Sequence, residues 1–303
     1  MRQGKYPFVI GFLAAPVALY CVFVVSPVVQ AFQLSFTQWR GFAPPKWIGL
    51  DNYRRLVEDG NFWKAISHHA ILLVALPLIT IVISLFFSFL LNVGGRSRGG
   101  VTTGIWGSKF YRVVFFLPQV LAVAIIAVLF QTVYRPNESG LINGVLMKLG
   151  LDPVFFLVDK NIALWSIIGV LVWQAVGFYV VLFSAGMSSI PSDIYEAAAL
   201  DGAGKFTLFF RVTLPLLWST LQVAWVYLGI AAFDAFAVVN VLSIGNNGGP
   251  DGATTVLAIE IYRNMQESKL GYASAMGVAL FFLSITFAAL TLRVSRRETV
   301  EYS

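Results

Sequence analysis

The sequence contains few charged residues, a single cysteine and only two histidines. Asp, Glu, Lys and Arg make up 12% of the 303 residues, whereas they make up roughly a quarter of an ordinary soluble domain. Cys21 alone allows neither an intrachain disulfide nor a metal site built from cysteines. His68 and His69 are adjacent, so on a helix they point in different directions, and no third histidine could complete a metal or haem site. We therefore expect no metal or other cofactor, and we interpret the histidines as a polar pair at the edge of an apolar segment.

Long apolar runs account for much of the chain, since 58% of its residues are hydrophobic. Each run reaches the roughly 20 residues that a helix needs to cross a bilayer. The runs are 8–32, 70–93, 113–133, 162–185, 214–241 and 273–292. The first follows Arg2 and Lys5 as in a signal peptide, but it is longer than a typical signal segment and lacks a convincing cleavage site, so we expect it to be retained. The sequence therefore predicts an all-α, polytopic membrane protein with six transmembrane helices.

The distribution of basic residues favours one orientation of these spans. Six spans place both ends of the chain on the same side. The segments on that side, which hold eleven Lys and Arg, are 1–7, 94–112, 186–213 and 293–303. The longer segments on the other side, which hold ten, are 33–69, 134–161 and 242–272. Basic residues concentrate in short cytoplasmic loops, so we expect both termini in the cytoplasm, and we expect the net charge of +6 to favour anionic lipid over nucleic acid.

The segment from 191 to 215 predicts two short helices joined by a turn. Pro191 suits the first turn of a helix, and Asp193 is an acid near its positive end. Three alanines follow, which favour the helix and carry almost no side chain. Gly202 accepts the left-handed conformation that ends a helix. Because small side chains allow close backbone approach, the segment is either a docking helix for a partner or a connector on the membrane surface, and residue chemistry alone leaves both open.

The same segment resembles the EAA loop of type I ABC importer permeases. The pattern of that loop is EAA, two further residues, DGA, a spacer, and an apolar residue before LP. This chain matches it with Glu196-Ala197-Ala198, Asp201-Gly202-Ala203 and Leu214-Pro215. Further matches to the carbohydrate-uptake branch of that family cover nearly the whole chain: Ser35-Phe36-Thr37, Gly49-Leu50-Asp51-Asn52-Tyr53, Phe115-Phe116-Leu117-Pro118, Ile190-Pro191, Gly248-Gly249-Pro250, Thr254-Thr255 and Gly271-Tyr272-Ala273-Ser274-Ala275. The chain departs from many relatives at Ser219, where they have proline, and at His68-His69, where they have Asn-Thr. These departures bear on the identity of the sugar rather than on the class of transporter.

This resemblance implies a type I ABC importer permease fold in the bacterial cytoplasmic membrane. Its core would run from 66 to 295, after a first span with an outer loop, 1–65, and before a cytoplasmic tail, 296–303. The implied partners are a second homologous permease, two cytoplasmic ATPase subunits that bind the ATP, and an extracytoplasmic sugar-binding protein. The residues expected to couple to the ATPase are Glu196, Ala197, Ala198, Asp201, Gly202, Ala203 and Pro215. The resemblance is closest to permeases for N-acetylglucosamine or its β-linked disaccharide.

Two other interpretations fit the sequence less well. Gly202-Ala203-Gly204-Lys205 lacks the earlier glycine and the Ser or Thr after lysine that a phosphate-binding loop needs, since Ala199 and Phe206 occupy those positions. We therefore expect a transport subunit without an ATPase site of its own, and not an enzyme. A secondary carrier that needs no ATPase remains the alternative, because carriers also place polar groups at the membrane midplane, but it leaves the EAA-type segment unexplained.

Polar and aromatic residues inside the spans are the candidates for a sugar path, because aromatic faces and hydrogen-bonding groups together recognise sugars. The candidates are Gln119, Trp173, Gln174, Tyr179, Asp234 and Asn240. Intramembrane polar groups also bond neighbouring helices, so both roles stay open for this set. Asp234 is the only charge in the six runs. A charge near the bilayer centre costs on the order of 3 kcal/mol, so we expect Asp234 to face water or a polar partner.

Overall fold

A computed structural model of the chain describes residues 5–93, 97–98, 101–102, 107–244 and 248–294. Arg96 of the predicted inner loop and the predicted tail, 296–303, lie outside the described residues. The α-helices are α1 (Lys5–Tyr20), α2 (Ser26–Ser35), α3 (Asp51–Glu58), α4 (Gly60–Val93), α5 (Ser108–Val120), α6 (Val123–Val133), α7 (Leu141–Lys148), α8 (Ala163–Ser188), α9 (Ser192–Leu200), α10 (Lys205–Leu208), α11 (Leu214–Leu216), α12 (Trp218–Phe233), α13 (Phe236–Leu242), α14 (Leu257–Gln266) and α15 (Leu270–Val294). Two π-helical turns, Cys21–Val25 and Phe209–Thr213, and a 3-10 turn, Pro250–Gly252, complete the helical elements of the described chain.

Short antiparallel strands form two small hairpins. In the first, β1 (Thr37–Gln38) pairs with β2 (Lys46–Trp47) so that Thr37 lies opposite Trp47. In the second, β3 (Ser97–Arg98) pairs with β4 (Val101–Thr102). The remaining described secondary structure is helical, as the sequence predicts.

Six membrane spans follow if each bent helix pair counts as one. Four helical stretches are long and apolar enough to cross a bilayer: Val9–Ser35, Gly60–Asn92, Ala163–Ser188 and Leu270–Arg293. The other two spans are pairs, Phe110–Val120 with Val123–Val133, bent by 99°, and Lys205–Leu216 with Trp218–Phe233, bent by 68°. The prediction of six spans is confirmed, but the expectation of continuous helices over 113–133 and 214–241 is wrong.

The interruptions have local causes. Pro118 removes an amide from the last turn of α5, and Leu121 and Ala122 then adopt extended conformations with ψ of 141° and 133°. The 68° bend lies at Leu217, whose φ of −83° and ψ of 3° depart from the helical conformation between α11 and α12. The same span is interrupted again after α12, where the amide of Asp234 turns back onto the carbonyls of Ile230 and Ala231 at 3.3 and 3.2 Å and ends the helix. Each break leaves backbone groups without a helical partner in the middle of a span, which membranes tolerate only beside protein or water.

Two units make up the chain: residues 1–64 with 260–283, and residues 65–259 with 284–303. In the first unit, three of the segments that carry the family resemblance meet. Asn52 Nδ2 donates to the carbonyls of Ser35 and Thr37 at 2.8 and 2.9 Å. A Cβ on Gly271 would overlap the Thr37 carbonyl, so the start of α15 packs directly on β1.

In the second unit, small residues bring the helices into close contact. Ser84 and Ser88 of α4 donate to the carbonyls of Val176 and Val180 on α8, at 3.1 and 3.0 Å. A Cβ on Gly177 would overlap the backbone of Phe115, so α5 and α8 touch through their main chains. Small side chains and interhelical hydrogen bonds hold helices together where lipid provides no hydrophobic drive. This contact fixes α8 beside the broken third span.

The two histidines lie near the start of the second span and bind backbone of the same unit. His68 Nδ1 lies 2.7 Å from the Thr255 carbonyl, and the Leu257 amide donates to His69 Nδ1 at 3.2 Å. The His69 ring stacks on Phe233 with centroids 5.5 Å apart. The pair therefore holds the Thr255–Leu257 backbone against α4 and the last residue of α12.

Candidate functional site

Both interrupted spans open onto one cavity of about 410 Å³ in the second unit. The α5–α6 break contributes Gln119 and Val123, and the α12–α13 break contributes Asp234 and Ala235. The facing wall comes from α8. The breaks therefore bring backbone, amide and carboxylate groups to the surface of a space that continuous apolar helices would have closed.

Four of the six sugar-path candidates line this cavity. Gln174 and Tyr179 lie on the wall that α8 presents, opposite Gln119 and Asp234. The α8 lining residues Leu171, Gln174, Ala175 and Phe178 follow the spacing of three and four residues that defines one face of a helix. The sequence thus anticipated much of the polar surface of the cavity.

Trp173 and Asn240 lie elsewhere. Trp173 faces a second, apolar cavity of about 810 Å³ and packs edge-on against Phe130 with centroids 5.1 Å apart. Because consecutive helical residues point about 100° apart, Trp173 and Gln174 cannot share one face of α8. Asn240 is exposed on α13, outside the lining of the polar cavity. The geometry favours a packing role for Trp173.

Gln174 is the most informative polar side chain of the cavity because it is buried but unbonded. Only 9% of its surface is exposed, and no described residue forms a hydrogen bond with its amide, which faces the cavity. Tyr179, 6% exposed, likewise has no partner for its hydroxyl in that part of the chain. Buried polar groups are normally hydrogen-bonded, so both groups are available to water or a solute in the cavity.

Tyr227 is a cavity residue that the sequence analysis missed. It lies on α12 and lines the cavity together with Ala231 and Asp234. A detectable signal existed, because Tyr227 precedes Asp234 by seven residues, or about two helical turns, and so shares its face of the helix. Because the sequence does not show which face of α12 lines a cavity, Tyr227 could not be distinguished from an aromatic residue at the membrane interface.

The start of α6 adds backbone donors to the same cavity. The amides of Ile125 and Ile126 turn onto the carbonyl of Ala122 at 2.9 and 3.2 Å. The two extended residues before Val123 interrupt the helical ladder, so the first amides of α6 are left without the partners that a continuous helix would give them. Val123, the first residue of α6, lines the cavity. Hydroxyl or carbonyl oxygens of a solute can accept from such amides.

The EAA-type segment forms a second candidate site. Helix α9 begins after Pro191 and has no buried residue. Glu196 and Ala197 are exposed, and Leu200 is 89% exposed at its end. Phe206, just beyond the turn, is 74% exposed. Two exposed apolar residues at the C-terminal end of a small-residue helix form a surface that a protein partner can cover.

Gly202 ends α9 as the sequence predicts. Its φ is +77°, in the left-handed region, and its amide donates to the Ala199 carbonyl at 3.1 Å. The Ala203 amide donates to the Ala198 carbonyl at 3.0 Å, which completes the glycine-based helix end. Nothing lies within 4 Å of a Cβ built on Gly202, so the conformation, and not crowding inside the chain, is what requires glycine there.

The chain continues from this turn towards the cavity. The π-helical turn that ends at Thr213 is joined to α9 by a 3.5 Å contact from Thr213 Oγ1 to the Tyr195 hydroxyl, and burial raises the pKa of that tyrosine. Pro215 lies in α11, immediately before α12. Helix α12 then runs 16 residues, about 24 Å, to the break at Asp234.

A polar crevice of about 510 Å³ lies in the first unit. Glu260 is 1% exposed and forms an ion pair with Arg263; burial raises the pKa of Glu260, and this pair opposes the shift. The Tyr272 hydroxyl donates to Asp59 Oδ2 at 2.7 Å, and Arg55 covers the Tyr272 ring at 4.5 Å. These bonds tie the start of α15 to the α3–α4 junction.

Comparison with known proteins identifies the class of membrane protein. Residues 97–300 match the family described as binding-protein-dependent transport system inner membrane component. The chain belongs to this family. It is therefore a multi-pass permease, a transport subunit of the inner membrane. The matched region contains the EAA-type segment and all of the polar cavity's lining residues except Leu76 of α4.

Relatives are similar over nearly the whole permease. The diacetylchitobiose uptake system permease protein NgcF of Streptomyces coelicolor is 40% identical over 96% of this chain and 83% of its own length. The multiple sugar-binding transport system permease protein MsmF of Streptococcus mutans is 31% identical over 94% of each chain. The probable ABC transporter permease protein YurN of Bacillus subtilis is 34% identical over 92% of each.

Solved structures share the fold of the permease. A chain of a bacterial alginate ABC transporter, in complex with an alginate pentasaccharide-bound periplasmic protein, matches 99% of this chain and 97% of its own with a TM-score of 0.79 and 21% identity. A chain of the MetNI methionine ABC transporter matches 78% of this chain with a TM-score of 0.52 and 16% identity. The type I ABC importer permease fold expected from the sequence is confirmed.

Proposed function

We propose that this permease carries a mono- or oligosaccharide across the bacterial cytoplasmic membrane in an importer driven by separate ATPase subunits. The observation that carries the proposal is α9, an exposed alanine-rich helix closed by the left-handed Gly202. A helix with small side chains and no buried residue offers its surface to another protein. The names of the relatives, which include diacetylchitobiose and multiple-sugar permeases, support a sugar as the solute.

The proposed assembly contains a second homologous permease, two cytoplasmic ATPase subunits and an extracytoplasmic sugar-binding protein. In this arrangement both termini lie in the cytoplasm, with α9 on the same side, and the polar crevice beside Tyr272 lies outside, where it offers charged groups to the binding protein. In this proposal the chain divides into a first span with its outer loop, 1–65, a core, 66–295, that contains the coupling loop 191–215, and a tail, 296–303. ATP is bound by the ATPase subunits, and the permease needs no cofactor of its own.

The path of the chain supports a coupling mechanism. Movement of α9 in an ATPase cleft would pass through the short helical elements from Lys205 to Leu216 into α12. A helix transmits displacement along its axis because its backbone is internally hydrogen-bonded. Asp234 follows the far end of α12 and lines the cavity. Glu196, the alanines and Gly202 would form the contact, and the wall around Asp234 would move in response.

The proposal is tested by an apolar-to-charged exchange on the coupling surface. Leu200→Asp places a carboxylate where the ATPase would bury an apolar side chain, so the ATPase subunits should no longer co-purify with the permease in detergent. The control is Leu149→Asp at the end of α7, because Leu149 is also strongly exposed, at 70% against 89%. Both variants should insert in the membrane at normal amounts.

Equal ATPase co-purification in the two variants would contradict docking through α9. Uptake that continues in proteoliposomes without ATPase subunits would instead favour the secondary-carrier alternative. In that case the cavity between broken helices would retain its role, since carriers also bind solutes at discontinuous helices.

A further inference from the structure

The polar cavity of the second unit carries charge of one sign. Among its lining residues in the described chain, Asp234 is the one formally charged side chain, and none is Lys, Arg or His. The other polar side chains are the amides of Gln119 and Gln174 and the hydroxyls of Tyr179 and Tyr227. The side chains therefore leave one negative charge on this part of the cavity.

That charge is not compensated within the described chain. Asp234 is exposed to the cavity, and no described residue forms an ion pair or a side-chain hydrogen bond with its carboxylate. The walls around it are apolar residues such as Leu76, Leu228 and Val238. Low-dielectric walls concentrate the field of a charge in the aqueous space between them.

The helix dipoles do not cancel the negative charge of Asp234. The C-terminal ends of α5 and α12 each contribute about half a negative charge, and the N-terminal ends of α6 and α13 each contribute about half a positive charge. These contributions offset each other and leave the formal charge of the carboxylate. The unbonded, nine-tenths-buried Gln174 faces the same space, so a polar solute there meets hydrogen-bonding groups and a net negative potential together.

We propose that Asp234 makes this cavity selective for charge: it admits neutral or cationic saccharides and repels acidic ones. The inference rests on the proposed function, because it concerns the solute that the permease carries. A neutral saccharide can donate hydroxyl groups to the carboxylate and accept from the amides and the start of α6. A uronate or phosphate group would meet like charge, with no basic side chain among the described residues that line the cavity. The alginate transporter, whose solute is an acidic polysaccharide, shares only the fold, so the fold itself sets no charge preference.

The potential can be measured with charged thiol reagents, independently of sugar and ATP. The chain has a single cysteine, so Cys21→Ser gives a background without thiols. Ala231→Cys places a reporter in the cavity lining three residues, about one helical turn, before Asp234. Lipid nanodiscs leave both membrane faces of the full transporter accessible to the reagents. Mass spectrometry then gives the rates of modification by cationic, anionic and neutral methanethiosulfonates of similar size.

We expect the cationic reagent to react roughly tenfold faster than the anionic one, after correction for their reactivity with a free thiol, because a unit charge at about 6 Å acts through a partly aqueous medium. Asp234→Asn should bring the ratio close to one. The control Asp152→Asn removes an exposed acid outside the cavity lining and should leave the ratio unchanged. A second reporter, Tyr227→Cys, should give the same pattern.

Equal rates, a faster anionic reagent, or a ratio that Asp234→Asn leaves unchanged would overturn the proposal, since each means that another group sets the potential. Failure of even the neutral reagent to reach both reporters would also overturn it, because the cavity would then not be open to solutes. A negative potential in a complex that takes up no sugar would refute the proposed function alone. Sugar uptake without the potential would refute charge selection alone.

Discussion

The coupling loop and the cavity are specified by the sequence in different ways. The loop lies in one stretch of 25 residues, from Pro191 to Pro215. Its helix, its glycine turn and its exposed face follow from local chemistry. The cavity combines residues of α4, α5, α6, α8, α12 and α13, and its shape depends on where two spans break. Local features can therefore identify the partner surface, whereas the solute surface depends on tertiary structure.

The largest expected effect concerns the turn of the loop. Gly202→Asp puts a side chain on a residue with a φ of +77°, a conformation that residues other than glycine seldom adopt, and adds a charge beside α9. We expect sugar uptake and sugar-stimulated ATP hydrolysis in the reconstituted complex to fall at least tenfold while the permease still inserts.

The matched control for this variant is Gly204→Asp. Gly204 has an extended backbone with φ of −70° and ψ of 164°, and nothing within 4 Å of a built Cβ. Adding the same charge two residues away should therefore have a much smaller effect. Near-normal coupling in both variants would mean that the loop is only a connector.

An intermediate effect is expected when the carboxylate of Asp234 in the cavity is replaced by an amide. Asp234→Asn keeps the shape and one acceptor but loses the charge, and hydrogen bonds to charged groups contribute about 1.5–3 kcal/mol. We expect an intact complex, seen by size-exclusion chromatography, with uptake reduced about tenfold.

A destabilised heterodimer would instead assign Asp234 to a contact with the partner permease. Unchanged assembly, affinity and rate would show that the residue has neither role. Because Asp234 has no ion-pair partner among the described residues, these outcomes separate a solute contact from a subunit contact.

The smallest expected effect is that of Gln174→Leu, which we compare with a substitution of its neighbour Trp173 on α8. Gln174→Leu removes an amide that faces the cavity. We expect the apparent KM for sugar uptake to rise roughly fivefold, which corresponds to the free energy of one neutral hydrogen bond. Trp173→Leu changes packing against Phe130 on another face, so it should lower the amount of folded permease more than the apparent affinity. Equal changes in KM would place both residues on the solute path.

Much of the fold and part of the site were predictable from the sequence. Run length revealed six spans, and the helix-ending role of Gly202 followed from its place after three alanines. The bend at Leu121–Ala122 and the interruption at Asp234–Ala235 were not predicted, because apolar composition does not distinguish a continuous helix from an interrupted one. Tyr227 was missed for the same reason, since its value comes from facing a cavity that only the breaks create.

Sugar uptake by purified protein tests the central claim most directly. The permease would be reconstituted in proteoliposomes with its partner permease, the ATPase subunits and the sugar-binding protein, and given labelled diacetylchitobiose, the solute named for a 40% identical relative. We predict uptake that requires both ATP on the ATPase side and the binding protein on the other side. Uptake at the same rate without ATP or without the binding protein would contradict the account.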